Sequence, residues 1–455
     1  MKWGYSPFPS KRGGTSFAMR RWRASLMSAA ALVVATAAFP ADVRSDVEAV
    51  YPHMQALYRE LHQSPELSNQ ESKTAAKLAA KLRELGFEVT TGVGGTGFVG
   101  VLKNGAGPTV ALRTELDGLP VTEATGLPYA SKVRTKDATG AEVGVMHACG
   151  HDLHMSAWVG TATIMARDRK SWRGTLVLVG QPAEELGVGA KAMIADGVLT
   201  KFPRPDFALA IHDDARRPAG EIGVLAGPIL ANVDYLDITV FGRGGHGARP
   251  ESTIDPVVIA SRIVVTLQTI VARENSPFDP AVVTVGSIHG GTKHNIIPDD
   301  VKLQLTIRSF TPDVREKLIA AVERIAKAEA AAANAPRAPA ITRQKTAEAL
   351  INDPVLTTRI AAALTRELGS DPVREARREM IGEDFTEWSI AGVPSLTLRI
   401  GAVARANFEA AEKGGAPLPS LHSAVFAPDL EPTLKAAIAA EVVALRELMG
   451  IFPIS

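Results

Sequence analysis

The sequence predicts an α/β domain with a mixed, largely parallel central sheet, interrupted by a small inserted α+β domain of ferredoxin-like order. Three observations predict it. Helix-like and strand-like segments alternate from residue 46 to residue 212, the pattern of a largely parallel sheet covered by helices. The rhythm then changes to β-α-β-β-α-β, the order of a ferredoxin-like unit, and the first alternation returns from about residue 350. The length of 455 residues also exceeds what one hydrophobic core usually supports. The expected division is residues 42–228 and 347–455 for the interrupted domain and 229–346 for the insert.

Each element has a local reason. Residues 46–63 carry Val47, Val50, Met54, Leu57 and Leu61 at helical spacing, and residues 71–85 repeat that pattern before Gly86 ends it. Apolar runs at 98–103 and 109–113 read as strands. A polar loop leads to a helix over 152–168. Residues 175–180 are a strand limited by Pro182, residues 190–196 a short helix stopped at Gly197, and residues 207–212 a further strand. In the insert the expected strands are 235–241, 282–288, 301–309 and 341–345, with helices over 255–272 and 312–332. No internal repeat is visible, and the Ala/Pro-rich stretch 326–340 carries little information.

Composition narrows the classes. Hydrophobic residues make up 46% and charged residues 22%, a globular balance unlike that of disordered, collagen-like or polytopic membrane chains. The single cysteine, Cys149, rules out an intramolecular disulfide. Residues 1–41 hold Lys2, Lys11, Arg12, Arg20, Arg21 and Arg23, no acidic residue, and an apolar run over 26–39 that ends in small residues. A basic start, a short apolar stretch and a small-residue exit are the marks of a secretory signal peptide, with Met19 as an alternative start. The run is short for a membrane span. The expectation is therefore an exported, periplasmic protein without a lasting anchor. Beyond residue 41 the formal net charge is −5, which carries no electrostatic footprint for nucleic acid.

The densest chemistry lies in Met146-His147-Ala148-Cys149-Gly150-His151-Asp152-Leu153-His154, just before a predicted helix. Thiolate and imidazole are preferred ligands of zinc and similar metals. In an extended segment Cys149 and His151 would project to one side. No second cysteine pair exists, so this is not a zinc finger. His147 and His154 read more simply as structural or supporting histidines. After the strand 175–180 comes Gln181-Pro182-Ala183-Glu184-Glu185, two carboxylates at the carboxyl edge of a sheet, where ligands bind in open α/β folds. One could hold a metal while the other takes a proton from water. His212 ends the next strand and is followed by Asp213 and Asp214. His422 lies far downstream in Leu421-His422-Ser423. Each is weak alone; with Cys149, His151 and one glutamate they complete an N/O/S donor set. Asp117, after the strand 109–113, can orient a ligand imidazole or simply form a turn before Gly118. In the insert, His246 sits in a glycine-rich run and Asn295 in His294-Asn295-Ile296-Ile297-Pro298, a loop between strands.

On these residues the chain resembles the dinuclear-metal aminoacylase and carboxypeptidase family, in particular its amidohydrolase branch of hippurate hydrolases, N-acyl-amino-acid amidohydrolases and indole-acetyl-amino-acid hydrolases. The motifs MHACGHD (146–152), QPAEE (181–185), GGHGARP (244–250), HNIIPD (294–299), GEDF (382–385) and LHS (421–423) occur in the family's order. The resemblance implies Cys149, His151, Glu185, His212 and His422 as ligands of two divalent metal ions (Zn, Mn, Co or Ni), with Glu184 as general acid/base. It implies His246 as an oxyanion-stabilising residue reaching a neighbouring subunit's site, and Asn295 as a substrate contact. The insert then corresponds to a lid and dimerisation domain, and the chain to a homodimer hydrolysing N-acyl amino acids or peptide-like amides. Two departures stand out. Glu115 replaces the usual first Asp of the strand-end motif, and Asp213 and Asp214 follow His212 where an apolar residue is usual. These two acids would alter metal preference or favour cationic substrates. Alternatives are a dipeptidase, carboxypeptidase or carbamoylase on the same scaffold, and, more remotely, a non-catalytic periplasmic solute-binding protein.

Overall fold

A computed structural model describes residues 43–450, with the side chains of all of these but Lys345 and Thr346. The expected signal segment lies outside the described residues.

The central sheet has eight strands in the spatial order Glu88–Thr91, Phe98–Asn104, Gly174–Gln181, Thr109–Glu115, Phe207–Pro218, Ser395–Val403, Ile222–Val224 and Val373–Glu375. Its four middle strands run parallel to one another, and the antiparallel pairings lie outside them. The period-2 pattern divides its faces. Leu112, Leu176, Leu178, Leu209 and Ile211 pack on one side with the helices Val43–His62, His151–Arg167 and Leu430–Met449. Ala111, Val177, Val179, Ala208 and Ala210 pack on the other, with the short helices Gly189–Ala195 and Thr386–Ile390. The helix His151–Arg167 is buried from His151 to Met165, because other helices cover the sides that the sheet leaves open. Trp158 donates its indole N–H to Leu112 O at 2.9 Å and fixes that helix on the sheet.

A second sheet of four antiparallel strands has the order Val282–His289, Asp300–Ser309, Asn232–Phe241, Ala340–Ala347. With the helices Pro256–Thr269 and Pro312–Ala332 this is the ferredoxin-like arrangement. Leu236, Ile238, Val240, Leu303, Leu305 and Ile307 meet Ile259, Ile263, Leu318 and Val322 in a core of their own. Asp255 and Thr311 cap the two helices from the N-cap position, each followed by proline. The opposite face of this sheet is polar and bears Tyr235, Arg308 and Gln344.

Two local expectations need correction. The strand expected over 207–212 continues to Pro218, because Ser395–Val403 pairs alongside it beyond His212. The segment expected as a loop around Asn295 contains a two-residue strand, Ile296–Ile297, paired with Gly245–His246.

Candidate metal centre

The site gathers at the carboxyl ends of the middle strands. Glu115 ends its strand and Asp117 follows it; Glu184 and Glu185 follow Gly174–Gln181; His212 lies within Phe207–Pro218. Cys149 and His151 are not in an extended segment. Gly150 between them adopts φ 76° and His151 opens its helix, so a left-handed turn, not strand alternation, brings both side chains inward. Glu184 and Glu185 are likewise on a turn, entered through Ala183 at φ 49°. Glu71 holds that turn: its carboxylate accepts from Ala183 N–H at 2.8 Å and from the Thr96 hydroxyl at 2.6 Å.

These segments converge on one cluster. Cys149 Sγ lies 3.2 Å from His422 Nε2 and 3.6 Å from His212 Nε2. His422 Nε2 lies 3.5 Å from Glu185 Oε2. His151 Nε2 is 3.9 Å from both Glu184 Oε2 and Glu185 Oε1. His422 adopts φ 65° and donates its backbone N–H to Ala148 O, so the 421–423 loop is tied to the cysteine turn.

The supporting contacts fix the ring orientations. His151 Nδ1 is 2.8 Å from Asp117 O and 3.4 Å from its carboxylate. Asp117 also accepts from the Ser68 hydroxyl at 2.7 Å and from Glu185 N–H at 3.0 Å. His212 Nδ1 is 2.9 Å from Asp213 O. In both imidazoles Nδ1 is engaged and Nε2 faces the cluster, the tautomer a metal ligand needs. His154 supports from behind, through Glu115 and Asp213. His147 is buried with neither ring nitrogen hydrogen-bonded, and burial pushes its pKa down to about 4.

Electrostatics single out the same residues. Burial, then Glu383 and Glu185, pushes the Glu184 carboxyl well above the usual range. Burial raises Glu185 to about 7 and pushes the Cys149 thiol well up, with Glu185 and Asp213 adding to it. Burial opposes charge on His151, but Asp117 and Glu115 outweigh it and raise the pKa to about 10. Arg113 is the guanidinium beneath the site, paired with Glu115, with Glu383 at 2.7 Å and with Asp384 at 3.0 Å. Sequence reading missed Arg113, Glu71 and the packing role of Glu383 and Asp384. Only the GEDF motif hinted at the last two.

The donor set fits divalent cations. Cys149, His151 and His212 offer atoms within 4.8 Å of one another; so do Cys149, Glu185 and His422, and so do His151, Glu184 and Glu185. His151 Nε2 and Glu185 Oε1 are buried without a hydrogen-bond partner. Crowded buried carboxylates beside a thiol and unpaired imidazole nitrogens are stabilised by positive charge placed among them.

A cavity of about 590 Å³ opens over this cluster. Cys149, Glu184, Glu185, His212 and His422 line one side; Val233, Tyr235, Arg308 and Gln344 of the second sheet line the other. Arg308 is the only Arg or Lys among the lining residues. His246 and Asn295 do not line it. They are exposed and lie together, with Gly247 N–H donating to Asn295 O at 2.9 Å. Asp213 and Asp214 do not line it either. Asp213 is fully buried behind His212, and Asp214 faces Arg217 at 3.6 Å, so the expected bias toward cationic substrates has no geometric basis.

N, O and S donors, most of them buried, converge at the carboxyl edge of an α/β sheet and define the class of a candidate metal-binding enzyme site. Comparison with known proteins gives the particular family. Residues 111–413 match Peptidase family M20/M25/M40, and the chain belongs to that family of amide-bond hydrolases. It is 39% identical over 281 residues to the N-acetyl-L-cysteine deacetylase of Bacillus subtilis, covering 61% of this chain and 65% of that protein. It is 41% identical over 279 residues to thermostable carboxypeptidase 2 of Saccharolobus solfataricus, covering 60% and 68%. The alignments thus span about two thirds of these relatives. Among solved structures, the YXEP protein of Bacillus subtilis, described as a dinuclear metal binding peptidase from the M20 family, superposes with a TM-score of 0.72. It is 29% identical, over 88% of this chain and 99% of that one.

Proposed function

We propose that this protein hydrolyses the amide bond of N-acyl amino acids or related acyl conjugates, with Cys149, His151, Glu185, His212 and His422 holding two divalent metal ions. The observation that carries the reading is the approach of Cys149 Sγ to His422 Nε2, 3.2 Å apart across 273 residues of chain, with Glu184 beside them. Held by these five side chains, divalent cations would supply Lewis-acid chemistry, polarising the scissile carbonyl and lowering the pKa of the attacking water. Glu184 takes the proton from the attacking water and returns it to the leaving nitrogen. Its buried surroundings, which raise its pKa, suit a group that must hold a proton between those two events. Asp117 holds His151 in its ligating tautomer. Arg308, on the facing wall, is placed to pair with the carboxylate of the amino-acid part.

His246 and Asn295 act on a second copy of the chain, a reading supported by their lying together outside the cavity wall. The second sheet and its helices serve as lid and dimerisation unit. Val258 (56% exposed) and Val265 (71% exposed) on the helix Pro256–Thr269, beside the free edge of Val282–His289, offer an apolar face for a partner. The basic start and apolar run of residues 1–41 support export to the periplasm. The similarity to a carboxypeptidase keeps peptide substrates as a second reading.

The test is metal analysis of the purified protein together with a screen of N-acetyl and larger N-acyl amino acids against dipeptides. About two divalent ions per chain and faster turnover of the acyl amino acids are expected. Absence of bound metal, or tight binding of these compounds without any hydrolysis, would sink the reading.

A further inference from the structure

Glu115 and Asp213 meet on one side chain. His154 Nδ1 lies 3.1 Å from Glu115 Oε2, and its Nε2 accepts from the Asp213 backbone N–H at 2.9 Å. The Asp213 carboxylate is 3.4 Å from that same Nε2 and 3.2 Å from His212 Nδ1. Asp213 has no exposed surface, and neither carboxylate oxygen has a hydrogen-bond partner. A Cβ placed on Gly150 would meet Asp213 Oδ2 at 2.4 Å, so the carboxylate lies directly beneath the turn that carries Cys149 and His151. Glu115 spans a wide gap: one oxygen pairs with Arg113 and the other reaches His154.

Glu115 and Asp213 each approach His154 as metal ligands do, but the contacts within the group already use both ring nitrogens of His154. A cation there would have to break those contacts. The group is not a substrate contact either, because Glu115, His154 and Asp213 are all absent from the cavity wall. What remains is support of the centre from behind. A buried carboxylate beside a ligand imidazole strengthens its donation through its charge, and such partners are worth about 10–100-fold in metal affinity.

We infer that Glu115, His154 and Asp213 form a buried unit behind the metal centre, in which Asp213 is a positioning residue that holds His212 and the Cys149–His151 turn and tightens cation binding. This rests on the metal-centre reading above. The unit acts through the ligands and touches neither substrate nor reacting atoms.

The experiment measures zinc dissociation constants by chelator competition for the wild type, Asp213→Asn and Glu115→Asp. Absorption spectra of the cobalt-loaded proteins and thermal unfolding of the metal-free proteins accompany it. Asp213→Asn should weaken zinc binding about 10–100-fold, shift the cobalt spectrum, and leave the metal-free Tm within a few degrees. Glu115→Asp, which shortens the reach to His154, should weaken binding in the same direction by a smaller factor. Unchanged affinity and spectrum in Asp213→Asn would overturn the inference. If Asp213→Asn does not fold, Glu115→Asp decides: weaker binding supports the unit and unaltered binding overturns it. Failure of the wild type to bind zinc or cobalt would instead strike the metal-centre reading itself, and this inference with it.

Discussion

His62 Nδ1 stands 2.6 Å from Asp152 Oδ2 while its Nε2 stands 3.1 Å from Glu123 Oε1. One buried imidazole thus bridges two carboxylates, one of them on the residue that follows His151. Burial alone would lower its pKa, but the two carboxylates outweigh burial and raise it to about 9. The ring is charged at neutral pH in the folded chain and mostly neutral in the unfolded one, whose histidine pKa is about 6.5. A raised folded pKa contributes stability that is fully present below pH 6.5 and is lost as pH rises through about 9. His62→Gln should therefore destabilise the metal-free protein by about 3 kcal/mol near pH 6, since it leaves two buried acids without their cation. Near pH 9.5 the difference should shrink. Urea unfolding of both proteins at the two pH values measures it, and a gap that does not change with pH would refute the bridging charge.

Glu184 has a different dependence. It sits among Glu185, Glu383 and Asp384, and the role proposed for it is to move a proton, not to build the fold. Glu184→Gln keeps the shape and loses the basic oxygen. Turnover should fall by about 10²–10⁴-fold, with metal content and thermal stability preserved. Rate assays paired with metal analysis test this. A variant that loses its metal in step with its activity would make Glu184 a ligand and not the base.

Cys149, His151, Glu184 and Glu185 were legible in the sequence because they cluster in short motifs at element boundaries. Cys149 and His151 sit two apart, and Glu184 and Glu185 are adjacent, so local chemistry made them visible. The local geometry was less visible. The same spacing fits an extended segment or a left-handed turn; Asp213 leaves no room for a Cβ at position 150, which explains the glycine there but is visible only in the fold. Glu71 looked like the start of a helix, yet its carboxylate serves Thr96 and Ala183, 25 and 112 residues away. His62 falls in the helix expected over residues 46–63, yet it pairs with residues 61 and 90 positions distant. Such pairings leave no mark in a window of ten residues, because the sheet order that creates them is set by the whole chain. The end of the strand Phe207–Pro218 was misplaced for the same reason: its continuation depends on Ser395–Val403, a partner nearly two hundred residues later.

His246 and Asn295 pose the sharpest test of how copies of this chain work together. His246 is in an exposed two-residue strand and Asn295 directly precedes the strand that pairs with it, and neither lines the cavity that holds Glu184 and the donor cluster. If they act on a second copy, no chain has a complete site by itself. His246→Ala and Glu184→Gln should then each be nearly inactive alone. In a mixed dimer, the site with an intact Glu184 receives an intact His246 from the other chain, so one of its two sites becomes whole. Mixing the two variants under conditions that exchange subunits should restore activity well above either parent, up to about a quarter of wild type for random pairing of equal amounts, since half the dimers are mixed and each has one working site. If His246 served its own chain, every mixed dimer would lack one of the two residues at each site and no activity would return. Assays of the mixture before and after subunit exchange, with dimer content followed by size-exclusion chromatography, separate these outcomes.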